Sequence, residues 1–279
     1  MQLIRFFFTC VLMTLTLGAA AQTQSDVVEQ LLRDSGLQEQ VDILSRSAPS
    51  QVLDELSKLP SKISKSEKER IHKQVSQAFA SDRLRTEITS DLTKTLLPAH
   101  ATTVLKWYAT KSGQMVRQAE VLATQELTQI PPEALMPLGT GLLEKAPPAR
   151  RQLIEALERA TDTTEQLVQV TLAMMKATDR GLRLGMPDQP WPDDQVMEQQ
   201  REAQRPALLK SFRAYALASV ALTYQRVPDR VLKEYLAFCN SPAGKHVNEA
   251  SVRALVKSLG NATENIMRSL PSAKDGQNT

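Results

Sequence analysis

The sequence predicts an all-α protein built as two tandem helical-bundle domains related by an internal repeat. Three observations carry that prediction. Aromatic residues make up only 4% of the 279 residues, whereas Ala, Leu, Gln, Glu, Lys and Arg, which favour helix over strand, are plentiful. Apolar residues recur at steps of three and four along most of the chain. Residues 107–116 also find a counterpart in residues 238–247, without gaps, at an offset of 131.

The helical stripes follow in order. Asp26-Val27-Val28-Glu29 has the spacing of a capping box, and Val27, Val28, Leu31 and Leu32 follow at helical intervals. Leu37, Val41 and Leu44 continue a stripe at steps of three and four, and Val52, Leu53, Leu56 and Leu59 make another that Pro60 stops. Ser66-Glu67-Lys68-Glu69 opens a charged helix with Ile71, Val75 and Phe79 on one face. Leu84, Ile88, Leu92 and Leu96 make a further stripe that breaks near Pro98. Each of these helices is apolar on one side and needs a partner to cover that side.

The middle of the chain changes texture. Pro131-Pro132 and Pro147-Pro148 bracket Gly139-Thr140-Gly141, which predicts turns around one or two brief helices. A long helical pattern then runs from Arg150 through Leu153, Leu157, Leu167, Val170 and Met174. Residues 185–192, with three prolines around Trp191, read as loop, and Asp193 is placed to cap a helix continuing past Pro206 toward Val227. Ala214 to Leu222 is the most apolar stretch after the first 21 residues and reads as a buried core helix, being far shorter than the roughly 20 residues of a membrane span.

Residues 1–21 have the layout of a secretory signal: Arg5, an apolar run from Phe6 to Leu17, then Gly18-Ala19-Ala20-Ala21 with Ala19 and Ala21 in a small-x-small cleavage pattern. The expected divisions are therefore a signal peptide (1–21), a first helical domain carrying the diverged repeat (22–130), a connector (131–149), a second, better-matching domain (150–268) and a disordered tail (269–279). The expected location is outside the inner membrane, periplasmic or secreted, with no transmembrane anchor after cleavage. Cleavage removes Cys10 and leaves Cys239, so the mature chain has no internal disulfide to staple it. Cys239, among Tyr235, Leu236 and Phe238, is expected to pack as a small buried hydrophobe.

Losing Arg5 leaves 33 basic against 31 acidic residues, the signs interspersed. That balance and the lack of a basic stripe with interleaved aromatics speak against nucleic acid as a partner.

In the repeat, Trp107-Tyr108-Ala109-Thr110-Lys111-Ser112-Gly113 is matched by Phe238-Cys239-Asn240-Ser241-Pro242-Ala243-Gly244. One helix ends on a large aromatic, Thr110 or Ser241 caps the next, Pro242 occupies the first turn, and Gly113 or Gly244 sits one turn in. Glycine costs a helix about 0.8–1 kcal/mol relative to alanine. Its presence in both copies predicts that another helix or the aromatic packs closely there, and the motif reads as a fold-forming corner.

An aromatic followed by Ser-Pro-x-Gly and a helix, after Tyr224-Gln225-Arg226-Val227-Pro228-Asp229-Arg230-Val231-Leu232, resembles the domain of unknown function 2059 family of exported helical bacterial proteins. The second half fits better; Cys239 stands where that family usually has tyrosine, and Lys111 replaces the proline in the first half. The resemblance implies location and fold, and it transfers no catalytic residue.

The chemistry templates are missing. His72, His100 and His246 have no His-x3-His partner, and His246 with Glu249 makes at most half of a metal site, so no metal or cofactor is expected. No Gly-x-Ser-x-Gly or His-Glu-x-x-His occurs, so no catalytic residue is assigned. Trp191 is the candidate contact for a ligand or partner. The expected function is a non-enzymatic module of the bacterial envelope that binds a protein or apolar ligand in a groove within or between the halves. The alternative is an envelope hydrolase with a carboxylate-based site.

Overall fold

The computed structural model describes residues 23–57, 65–127 and 129–269. All regular structure among these residues is α-helical. The signal region 1–21 and residues 270–279 of the expected tail lie outside them, as do Leu59 and Pro60 of the second stripe.

The first half contributes α1 (Gln24–Asp34), α2 (Leu37–Ser57), α3 (Lys65–Ala78), α4 (Ser81–Thr95), α5 (Pro98–Tyr108) and α6 (Lys111–Leu127). The capping box at the first helix sits one turn earlier than the sequence suggested. Thr23 is the cap and accepts from the Asp26 backbone, while the Asp26 carboxylate accepts from the Thr23 N–H at 3.0 Å. Helix α2 carries the first predicted stripe and Val52, Leu53 and Leu56 of the second without interruption, and it contains Pro49. Leu84, Ile88 and Leu92 are fully buried in α4, as a stripe four residues apart requires.

A single helix, α7 (Pro132–Lys145), joins the halves and runs through Gly139 and Gly141, with the turns at its two ends. Gly139 is there for proximity: a Cβ on it would lie 2.5 Å from the backbone of Ala218, so glycine lets α7 press onto the chain at Ala218. The second half contains α8 (Pro148–Thr161), α9 (Thr163–Gly185), α10 (Asp194–Glu202), α11 (Arg205–Thr223), α12 (Asp229–Cys239) and α13 (Pro242–Arg268).

Two of the long helical patterns are divided. The run from Arg150 breaks at Asp162, which adopts left-handed φ 58°, a conformation that asparagine and aspartate tolerate better than most residues. The run from Asp193 breaks between Glu202 and Arg205, where Pro206 enters the first turn of α11. Asp193 does cap α10, accepting from the Gln195 N–H at 2.8 Å.

The halves do not keep separate cores. Helix α13 of the second half lies along α9 and also packs on α3, α4 and α5 of the first. Its stripe of Val247, Ala250, Ala254 and Ala262 shares one apolar core with Val28, Leu31, Val75, Leu84 and Ile88. Reciprocally, α6 of the first half packs on α11 and α12, where Val116 joins Leu157, Val220, Leu232 and Tyr235. Each half thus lends its last helix to the other. The boundary drawn after residue 130 is not a boundary of packing, because small residues on α13 let it enter the neighbouring core closely. A third, smaller cluster sets Leu135 of α7 against Ala218 and Leu222 of α11.

Local geometry at the two corners agrees in detail. Thr110 Oγ1 donates to Trp107 O at 2.7 Å and accepts from Gly113 N–H at 3.0 Å. Ser241 Oγ donates to Phe238 O at 2.7 Å and accepts from Gly244 N–H at 3.0 Å. A Cβ on Gly113 would lie 2.2 Å from Trp107 O, and one on Gly244 2.3 Å from Phe238 O. The close neighbour is thus the preceding helix's own carbonyl, turned back over the corner.

Candidate functional site

The exchange of α6 and α13 brings a polar cluster to the junction of the halves. Val116 and Ala123 face the second half from α6, and Glu120 stands between them, four residues after Val116 and three before Ala123. Helical spacing therefore carries a carboxylate into a core-facing position. On α12, Val231, Tyr235 and Cys239 form a buried stripe four residues apart. Tyr224 ends α11, held in place because Arg150 of α8 donates to its carbonyl at 2.6 Å and to Val227 O at 2.8 Å.

The Tyr224 hydroxyl donates to Glu120 Oε1 at 2.6 Å and the Tyr235 hydroxyl donates to the same oxygen at 3.0 Å. Both phenols thus orient the carboxylate. Burial raises the Glu120 carboxyl above its ordinary value, opposed by the two hydroxyl donors and by the positive charge of Arg117. Burial, reinforced by the charge of Glu120, holds Tyr108, Tyr224 and Tyr235 well above the usual tyrosine range. Arg117 itself is bonded to Glu39 at 2.8 Å and to Arg33 O, so its side chain is anchored at the α1–α2 turn.

A cavity of about 210 Å³ opens on this cluster, lined in part by Tyr108, Glu120, Tyr235, Phe238 and Cys239. A second, of about 500 Å³, reaches Glu120 from the side of Tyr224, Tyr215 and Thr124. The two share a wall made by Gln40, Glu120, Thr161, Gln166, Tyr235 and Asn248. That wall is cross-bonded: Asn248 Nδ2 donates to Thr161 O at 3.1 Å, and Gln166 Nε2 donates to Thr161 O and Asn248 Oδ1. Val104, Val247, Val252 and Leu255 add an apolar side to the smaller cavity.

The aromatic members of the repeat motif border this site. Trp107 and Phe238 stack with ring centroids 4.2 Å apart, and Tyr235 stacks on Trp107 at 5.3 Å. Tyr108 and Gly244 line the cavity; Thr110, Ser241, Gly113 and Pro242 shape the two corners that hold it. Trp191 stands apart. It lies half-buried in the loop after α9, where its indole N–H donates to Met186 O at 2.9 Å, and it lines neither cavity.

Cys239 is buried and free, and desolvation pushes its thiol up to about 12. That state is wrong for a nucleophile, which needs the thiolate. His246 accepts from the Leu97 N–H at 3.3 Å and meets the His100 ring edge-on, centroids 5.0 Å apart, rather than pairing with a carboxylate. Among the described residues no group of three or more His, Cys, Asp or Glu side chains converges on a metal position, and no helix is long and apolar enough to cross a membrane.

Glu120 escaped the sequence reading. Its signal was present in the spacing, as a carboxylate on the buried stripe of α6, but that stripe is visible only once the partner of α6 is known. Comparison with protein-family models, with curated proteins and with solved structures returned no match, so a functional reading rests on the geometry around Glu120 and on the residues of the two corners.

Proposed function

We propose that this chain is a non-enzymatic binding protein that holds a small amphipathic ligand in the cavities around Glu120, between its two halves. The observation that carries the reading is the combination of one oriented carboxylate, a ring of phenols and an apolar wall around a partly open cavity. Small-ligand sites generally combine an apolar lining with a few convergent polar groups, and the larger cavity lies within their usual range of roughly 300–1,000 Å³.

A hydrolase of the glycosidase kind uses two carboxyl groups flanking the scissile bond. Among the described residues Glu120 has no second carboxylate beside it in either cavity wall. The binding reading uses the residues as they stand. The signal-like residues 1–21 and the resemblance of the Ser241-Pro242-x-Gly244 corner to the domain of unknown function 2059 family support an exported, envelope-located role. Sequencing the N-terminus of the chain recovered from its host tests that placement, which requires a start at Gln22.

Trp107 provides the test of binding, because it stacks on two residues that line the cavity and the sequence has just one other tryptophan. In a Trp191→Phe protein, its fluorescence reports on the site alone. A library of small amphipathic molecules is expected to contain members that shift this fluorescence saturably and raise the unfolding temperature. A library without a single such member contradicts the reading.

A further inference from the structure

The charge of the site's lining narrows the ligand. Both cavities around Glu120 are lined by hydroxyls, amides, apolar groups and aromatic rings, and no Lys, Arg or His contributes to either lining. Glu120 is the sole carboxylate in them. The nearest basic group felt there, Arg117, spends its guanidinium on Glu39 and on Arg33 O. Once Glu120 is ionised, a neutral or anionic ligand would leave its charge without a counter-ion in a largely desolvated place, which is costly. A cationic ligand would pair with it and satisfy the carboxylate beyond its two phenol donors.

The surrounding groups suit a cation too. Tyr108, Tyr235 and Phe238 line the smaller cavity with Glu120, and aromatic rings attract ammonium groups through their quadrupoles. Phenol oxygens and the carboxylate accept hydrogen bonds, and an ammonium has three N–H groups to donate and nothing to accept with. The Val104, Val247, Val252 and Leu255 wall then receives the apolar part of the molecule.

Resting on the small-ligand reading above, we infer that the ligand is an amphipathic amine whose ammonium group pairs with Glu120 among Tyr108, Tyr235 and Phe238. Glu120 is its counter-ion, the phenols of Tyr224 and Tyr235 fix the carboxylate's direction, and the apolar wall sets the size of the ligand's hydrocarbon part.

Phenethylamine and phenethyl alcohol are matched in size and differ in charge, so titrating each into the Trp191→Phe protein separates charge from shape. The amine is expected to bind at least about tenfold more tightly than the alcohol, and Glu120→Gln to erase that preference. A tenfold ratio corresponds to about 1.4 kcal/mol. Equal affinities, or a preference for the alcohol, overturn the amine assignment and leave the small-ligand reading standing. If neither probe binds while other neutral molecules do, the amine assignment falls alone; if nothing binds, both fall. Should E120Q fail to fold, the wild-type chain is titrated with benzyltrimethylammonium, whose charge does not change with pH. Its affinity is expected to rise as Glu120 ionises, since Arg117 is held by Glu39 and Arg33 O and the thiol and phenols that face the carboxylate, Tyr108, Tyr224, Tyr235 and Cys239, are all pushed up, away from the carboxylate range. A flat profile overturns the assignment.

Discussion

The rings of Trp107 and Phe238 lie almost parallel, 10° apart in tilt with centroids at 4.2 Å. These are the two residues that the sequence alignment of the halves sets opposite each other. Equivalent positions thus meet face to face at the junction, and the pair ties α5 to α12 beside the Glu120 site. A double-mutant cycle with Trp107→Ala and Phe238→Ala, read by denaturant unfolding, is expected to give a coupling of about 0.5–1.5 kcal/mol. Additive losses would show that the stacking is coincidental.

The corner glycines make a paired prediction. Replacing a helical glycine by alanine ordinarily stabilises by about 1 kcal/mol. At Gly244 the new methyl would lie 2.3 Å from Phe238 O, and at Gly113 2.2 Å from Trp107 O. Gly244→Ala and Gly113→Ala are therefore expected to destabilise by about 1–3 kcal/mol, the usual cost of overpacking. Gly260→Ala is the control, because its nearest new neighbour, Ala177 Cβ, is 4.0 Å away; that variant is expected to gain stability in the same unfolding assay.

Glu120 gives the fold a pH dependence of definite sign. Burial raises its carboxyl in the native state above the ordinary 4.5, so in the window above that value the folded chain holds a proton that the unfolded chain has released. The stability this proton brings is full below the ordinary value and is lost as pH rises through the raised native one. Wild-type protein is expected to lose stability relative to Glu120→Gln across that interval, as measured by unfolding at a series of pH values. Parallel curves for the two proteins would mean that Glu120 ionises as freely folded as unfolded.

The thiol and phenols should stay silent in the native state. Cys239, buried and raised to about 12, is expected to resist alkylation at neutral pH until denaturant is added. Tyr108, Tyr224 and Tyr235 are likewise expected to ionise together with alkaline unfolding, followed by tyrosinate absorbance, because burial and the charge of Glu120 disfavour their anions. Rapid labelling of Cys239 in the folded protein would contradict the burial of this cluster.

Much of the helical layout could be read from spacing alone, because stripes such as Leu84, Ile88 and Leu92 declare which face is buried. The corners were also legible, since Ser241, Pro242 and Gly244 each have a specific local use. Breaks set by a single backbone angle, as at Asp162, and helices that continue through glycines, as α7 does at Gly139, were not. The second depends on a neighbour distant in sequence, Ala218. The same reason hid the site. Periodicity says that α6 and α13 have buried faces but not that each face is buried against the other half, and Glu120 acquires Tyr224 and Tyr235 only through that exchange.

Native mass spectrometry of the chain, purified without denaturant from its host, tests whether the space around Glu120 holds a small ligand. A second species is predicted, heavier than the bare chain by the mass of a small molecule and converted to the bare chain under denaturing spray. The bare chain alone, unchanged after incubation with a small-molecule extract of the same cells, would contradict it.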